Sequence, residues 1–153
     1  MTVKIKIYVS AVMIVFMLVA GCNRNPVPHM NIRDQNIQIV NTYVSEVWNK
    51  WNFDIIDSII HEDFVDPAST TGEKGPDAFK DVMAGLRGIF PDMQMTIDEI
   101  VADDSLVAWK WSAVTTYAPQ NKKVAIQGII MDKIDNGRII QRWGYWDDSP
   151  LHE

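Results

Sequence analysis

Residues 35–51, "QNIQIVNTYVSEVWNKW", carry apolar side chains at Ile37, Val40, Val44, Val47, Trp48 and Trp51. That recurrence predicts an amphipathic helix with one buried stripe, which Tyr43 borders. Asn52 can cap a second helix over 53–61, buried through Ile55, Ile56, Ile59 and Ile60. A loop with a short strand at Phe64–Val65 follows. A third helix starts at Pro76, a residue suited to a first turn, and runs to about Ile89 through Phe79, Val82, Met83 and Leu86. After Pro91 the period changes from helical to alternating. "MQMTIDEIV" (93–101), "LVAWKWSAVTTY" (106–117), "KVAIQGIIMDKI" (123–134) and "RIIQRWGYWD" (138–147) each read as a strand. The last two flank "DNG" at 135–137, a strong hairpin signal. Helices first and strands after predict an α+β domain. Helices covering one face of a curved sheet would make a helix-capped, strongly bent antiparallel sheet, a cone-like barrel with an internal pocket.

The length of 153 residues suggests one domain, and its first residues stand apart from it. "MTVKIKIYVSAVMIVFMLVAGC" has Lys4 and Lys6, then an apolar run from Ile7 to Ala20, then small residues. This is the pattern of a secretory leader and is too short to span a membrane. "LVAGC" resembles the lipobox of bacterial lipoproteins, and Cys22 is the only cysteine. The resemblance implies cleavage before Cys22 and lipid on it. The expected organisation is a leader at 1–21, a lipidated cysteine and polar tether at 22–34, and a folded domain at 35–150. The protein would then be exported and held by lipid on a membrane face, periplasmic or extracellular. The chain carries a net charge of −6, and removing Lys4 and Lys6 makes the exported part more acidic still. An acidic surface excludes nucleic acid as a natural partner. The three histidines are scattered, and no metal-ligand spacing, phosphate loop or nucleophile elbow occurs.

Several segments together resemble the SnoaL-like polyketide cyclases of the nuclear transport factor 2-like superfamily. They are "VWNKWNFDIIDSIIHEDFVD", "GPDAFKDVMAGLRGIFPDM", "DSLVAWKWSAVTTY" and "DNGRIIQRWGYWDD". The resemblance spans about 35–150. It implies a hydrophobic pocket under a helix-capped sheet and an intramolecular aldol cyclisation that needs no metal or cofactor. It also implies a homodimer through the outer sheet face. The family's acid/base aspartate near the end of the last strand corresponds to Asp147. Three family positions differ: the arginine on the strand at 106–117 is Lys110, the histidine after the threonine pair is Tyr117, and the histidine after "DFVD" is Pro67.

Strict alternation along 138–147 places Gln141, Trp143, Tyr145 and Asp147 on one face, with Arg142, Gly144 and Trp146 on the other. If Trp143 lines the pocket, Asp147 stands at its mouth, where an apolar surround would raise its pKa. The other reading is that Asp147 only ends the strand or pairs with Lys110 or Arg142. The six tryptophans fall in three pairs, Trp48/Trp51, Trp109/Trp111 and Trp143/Trp146. They serve as core or as ligand wall. The candidate ligand-binding set is Tyr43, Trp48, Trp109, Lys110, Trp111, Trp143 and Tyr145, with the two tyrosine hydroxyls placed to orient a carbonyl or enolate oxygen. The expected protein is a lipid-anchored domain that binds a small hydrophobic, carbonyl-bearing ligand. Either it cyclises or isomerises that ligand with Asp147, or it is a non-catalytic binding or dimeric interaction protein.

Overall fold

The computed structural model describes residues 30–152 apart from 68 and 70. The expected leader, Cys22 and most of the tether lie outside the described residues. Helix α1 (Ile32–Thr42) is started by Asn31, whose side chain accepts from Asp34 N at 2.9 Å. The helix then widens. Tyr43–Trp48 is π-helical, with Asn49 N bonded to Val44 O five residues back. The expected helix therefore ends before 51, and Trp51 takes a left-handed φ of 55° as the chain turns into Asn52. Asn52 caps as expected, accepting from Asp54 N at 3.3 Å. What it starts is one 3₁₀ turn (Phe53–Ile55) and a single turn of α2 (Ile56–Ile59), shorter than the helix expected over 53–61.

No strand forms at Phe64–Val65; Ile60 instead makes a parallel bridge to Ile139. Phe64 is committed elsewhere. Its ring is buried against Phe79, and its carbonyl accepts from Gly75 N at 2.7 Å. Helix α3 (Gly75–Ile89) begins at that bond, with Pro76 in its first turn. Gly75 has φ +84°, and a Cβ there would sit 2.9 Å from Glu62 O, so both conformation and space demand glycine.

Four antiparallel strands follow in meander order, β1 (Gln94–Ala102), β2 (Leu106–Tyr117), β3 (Lys122–Asp135) and β4 (Arg138–Asp147). The β3–β4 turn has φ 47° at Asn136 and 77° at Gly137, the two positive values of a type I′ hairpin. The α+β class is as expected. The cone-like barrel expected does not close: the sheet is open, with β1 and β4 as its edges. The Asn49 amide covers part of the β1 edge, donating to Met95 O at 2.9 Å and accepting from Met95 N at 2.7 Å.

Two register shifts break the alternation. On β1, Ile97 pairs with Trp111 and Glu99 with Lys110, leaving Asp98 extra. On β4, Gln141 pairs with Lys133 and Ile139 with Ile134, leaving Ile140 extra. A bulge of one residue moves every later side chain to the other face. Ile139 therefore points inward, and beyond the bulge the inward positions are Arg142, Gly144 and Trp146. The inner sheet face packs with the helices around Val40, Val47, Ile56, Phe79, Met83, Val107 and Trp109, all nearly inaccessible to solvent.

Candidate functional site

A cavity of about 300 Å³ lies between the helices and the inner sheet face. The π-helical turn gives it Tyr43 and Trp48. Closing the helix at five residues instead of four brings those two onto one side, with ring centroids 6.4 Å apart. Helix α3 and the chain after it add Met83, Leu86, Phe90 and Met93. The loop after α2 adds Asp66 and Pro67, and the strands add Met95, Trp111, Ile126, Ile130, Arg142, Gly144 and Trp146. Tyr145, 79 % exposed, also borders the cavity.

Its polar end is built on a buried ion pair. The Asp132 side chain is 0 % exposed and that of Arg142 only 7 %. Arg142 Nε donates to Asp132 Oδ1 at 2.7 Å, and a terminal nitrogen donates to Oδ2 at 3.2 Å, a bidentate pairing. Trp109 Nε1 donates to the same carboxylate at 3.0 Å. The other terminal nitrogen of Arg142 donates to Tyr43 Oη at 2.8 Å, and the guanidinium carbon lies 4.3 Å from the centre of the Tyr43 ring. Burial alone would lower the Arg142 pKa. The charge of Asp132, the Tyr43 phenol and the bonds to both reverse that, so its pKa is raised and the cation is permanent. Burial raises the Tyr43 pKa; Arg142 opposes this, and the charges of Asp132 and Asp66 reinforce it. Tyr43 is thus a neutral phenol that accepts from a cation. Its own proton finds no acceptor among the described residues.

Of the residues expected in the site, Tyr43, Trp48, Trp111 and Tyr145 border the cavity. Trp109 does not; it is fully buried behind the wall and holds Asp132. Three others are corrected. Lys110 points to the outer sheet face, between the inward Trp109 and Trp111. Trp143 is 42 % exposed on that outer face, because the bulge at Ile140 inverts the parity of β4. Asp147 is inverted with it and does not line the cavity. Its Oδ1 accepts from Ser149 Oγ at 2.7 Å and Ser149 N at 3.1 Å, bonds that lower its pKa instead of raising it. Asp147 therefore ties the end of the strand to Ser149, the first residue of the turn Ser149–Leu151, whose N-cap position is Asp148.

Sequence reasoning missed Arg142, Asp132 and Asp66 as site residues. A signal for Asp132 was present. Alternation along β3 puts Val124, Ile126, Gly128, Ile130, Asp132 and Ile134 on one face, and Asp132 is the one charge among them. A lone acid on an apolar face calls for a buried cation.

A profile described as SnoaL-like polyketide cyclase matches residues 38–153. Among solved structures, the chain is similar to a candidate polyketide cyclase from Acidithiobacillus ferrooxidans, at 23% identity and a TM-score of 0.69 over 80% of this chain and 95% of that one. It is similar to TsrD from Streptomyces laurentii at 16% identity and a TM-score of 0.70, over 81% and 96% of the two chains. It also resembles a SnoaL-like polyketide cyclase from Agrobacterium tumefaciens at 14% identity and a TM-score of 0.67, over 76% and 94%. At these identities the likeness is one of fold. No match was found among curated proteins.

Proposed function

Because the chain belongs to the SnoaL-like polyketide cyclase family, we propose that its cavity binds a small hydrophobic molecule by a carbonyl oxygen and acts on it as a cyclase or isomerase. The observation that carries this reading is the buried group Asp132–Arg142–Tyr43, which aims a polarised phenol from the wall of an otherwise apolar cavity. The ligand carbonyl accepts from Tyr43. When a carbon beside that carbonyl loses a proton, charge grows on the oxygen. The fixed phenol and guanidinium then stabilise it without reorganising. The carboxylate on the cavity wall is Asp66, and it takes the proton. The enolate carbon then attacks a second carbonyl to close a ring, and the oxygen of that carbonyl takes the proton back from Asp66 as its C=O π bond breaks; or the proton returns at another carbon to isomerise the ligand. A second reading is binding without chemistry. It is favoured by Tyr117 and Pro67 standing where the family has histidines, and by Asp147 being held outside the cavity by Ser149.

Native mass spectrometry of the protein incubated with extract of its own cells tests the reading. Wild type should retain a small neutral molecule, and Tyr43→Phe should lose it. A bare wild-type protein after exposure to whole extract would refute it. If the chromatographic retention of the released molecule changes with time at constant mass, Asp66→Asn should abolish the change and Asp147→Asn should not. Loss in Asp147→Asn alone would return the acid/base role to Asp147. Binding that persists with the released molecule unaltered in every variant, wild type included, would favour the second reading.

The reading includes a location, supported by "LVAGC" and the basic, apolar leader before it. Lipid on Cys22 anchors the domain to a membrane face. Cys22→Ser should abolish labelling by a fatty-acid probe and move the protein from the membrane to the soluble fraction. Unchanged fractionation would refute the anchor.

A further inference from the structure

Two glycines interrupt the last two strands, Gly128 on β3 and Gly144 on β4. Glycine weakens a strand interior, and it commonly marks a bulge, a close approach of backbone, or a ligand. Gly128 has the second explanation, since a Cβ there would fall 2.6 Å from Tyr145 O. Gly144 has neither of the first two. Pairing runs without a shift from Gln141 opposite Lys133 to Asp147 opposite Gln127, so the bulge at Ile140 ends before it. Its φ is not positive. A Cβ at Gly144 would meet only Ile130 Cγ1 at 3.2 Å and Ile129 O at 3.7 Å, both on β3. Among the described residues, no helix atom lies within 4 Å of that point. Yet Gly144 points inward, lines the cavity and is exposed. We propose that the open space over Gly144 is the berth of a ligand ring, and that this residue sets how large a ligand the cavity takes.

The sheet register gives the berth its surroundings. Gly144 lies opposite Ile130, one inward position from Arg142 on one side and one from Trp146 on the other. It therefore separates the polar end of the cavity, where Arg142 meets Tyr43, from the tryptophan end. Bare backbone between those ends is a flat strip, and a flat ring can lie on it without displacing a side chain. Volume fixes the size of the ring system. An apolar cavity of about 150 Å³ takes one benzene. The cavity here is about 300 Å³, which matches two rings. The ligand class is therefore a ketone on a fused, naphthalene-sized skeleton, with its oxygen toward Tyr43 and its second ring against Gly144. Any side chain at position 144 would take the place of that second ring and leave a one-ring site.

The inference rests on the cavity being the ligand site, and the probes separate its failure from that of the carbonyl reading. The ketones are acetophenone and 2-acetylnaphthalene; the matched hydrocarbons are ethylbenzene and 2-ethylnaphthalene. Kd values are measured calorimetrically by injecting protein into dilute probe, for wild type, Gly144→Ala and Gly144→Val. Wild type should bind 2-acetylnaphthalene at least about tenfold tighter than acetophenone, from the apolar surface of the second ring. Gly144→Val should weaken 2-acetylnaphthalene by at least about tenfold through overpacking and leave acetophenone within about twofold. Gly144→Ala should fall between, and its small side chain keeps the comparison independent of how valine folds. Valine suits a strand, so thermal unfolding of Gly144→Val should come no earlier than in wild type. The inference is overturned if wild type prefers acetophenone or binds neither ketone. It is overturned as well if the variants weaken both ketones alike, or weaken neither. Ketones no tighter than their hydrocarbons would sink the carbonyl reading alone, because the two hydrocarbons still report the size step at position 144.

Discussion

Asp132→Leu is expected to cost about 3–5 kcal/mol, because it leaves the buried Arg142 guanidinium without its counter-charge. A domain of this size has about 5–15 kcal/mol in all, so the variant sits at the edge of folding. The same substitution strands the Trp109 Nε1–H, which adds to the loss. Urea unfolding should show a large drop in midpoint with the slope unchanged. The informative partner is Asp132→Leu/Arg142→Met. Removing both charges leaves no uncompensated ion, and much of the stability should return. The ligand should not return with it, since the Tyr43 phenol has then lost the cation that polarises it. A double variant that folds and still binds would show that the pair serves the core alone.

Gly128→Ala is the second large effect. A Cβ at Gly128 would lie 2.6 Å from Tyr145 O, 2.8 Å from Trp111 Cζ2 and 2.8 Å from Trp146 Cβ. The first contact is backbone and cannot be relieved by a rotamer. Overpacking of this kind costs about 1–3 kcal/mol. That outweighs the roughly 0.4–1 kcal/mol that replacing a glycine returns through the unfolded chain. The two indoles it displaces border the cavity, so ligand affinity should fall as well. Gly85→Ala makes the control. Gly85 sits in α3 with nothing within 4 Å of the added Cβ. There alanine should stabilise by about 0.5–1 kcal/mol. Thermal unfolding of the two variants should shift in opposite directions; a rise for both would mean that β3 and β4 spread at no cost.

The strand ends and the hairpin were legible because their signals are local. Alternation marks 106–117 and 138–147 to the residue, and "DNG" can satisfy the two positive φ values only as a turn. Asn52 and Pro76 announce helix starts for equally local reasons. The site was half legible. Tyr43, Trp48 and Trp111 follow from periodicity. Trp143 and Asp147 were put on the wrong side because nothing in "RIIQRWGYWDD" distinguishes a bulged strand from a regular one. The bulge is decided by the partner strand and by what Arg142 gains from meeting Asp132. That is a contact ten residues away in the chain, and period counting does not see it. The widened helix at Tyr43–Trp48 escaped for a similar reason: its sequence is compatible with an ordinary helix, and the cavity it lines is made by the whole domain.

The extra residue at Ile140 has a consequence for descent as well as for folding. A strand with one surplus residue holds two complete faces in reserve, and the surplus chooses between them. Deleting Ile140 would only remove the bulge: Gln141 would stay opposite Lys133 and Arg142 opposite Asp132, with the guanidinium still inward. A slip of β4 that pairs Ile140 itself with Lys133 does the opposite. It would turn Trp143, Tyr145 and Asp147 inward and send Arg142 out. The same ten residues thus encode a cavity built on a guanidinium and one built on a carboxylate, and the Arg142–Asp132 pair selects the first. A lineage carrying this domain could change chemistry by a slip of register within one strand, with no new side chain invented.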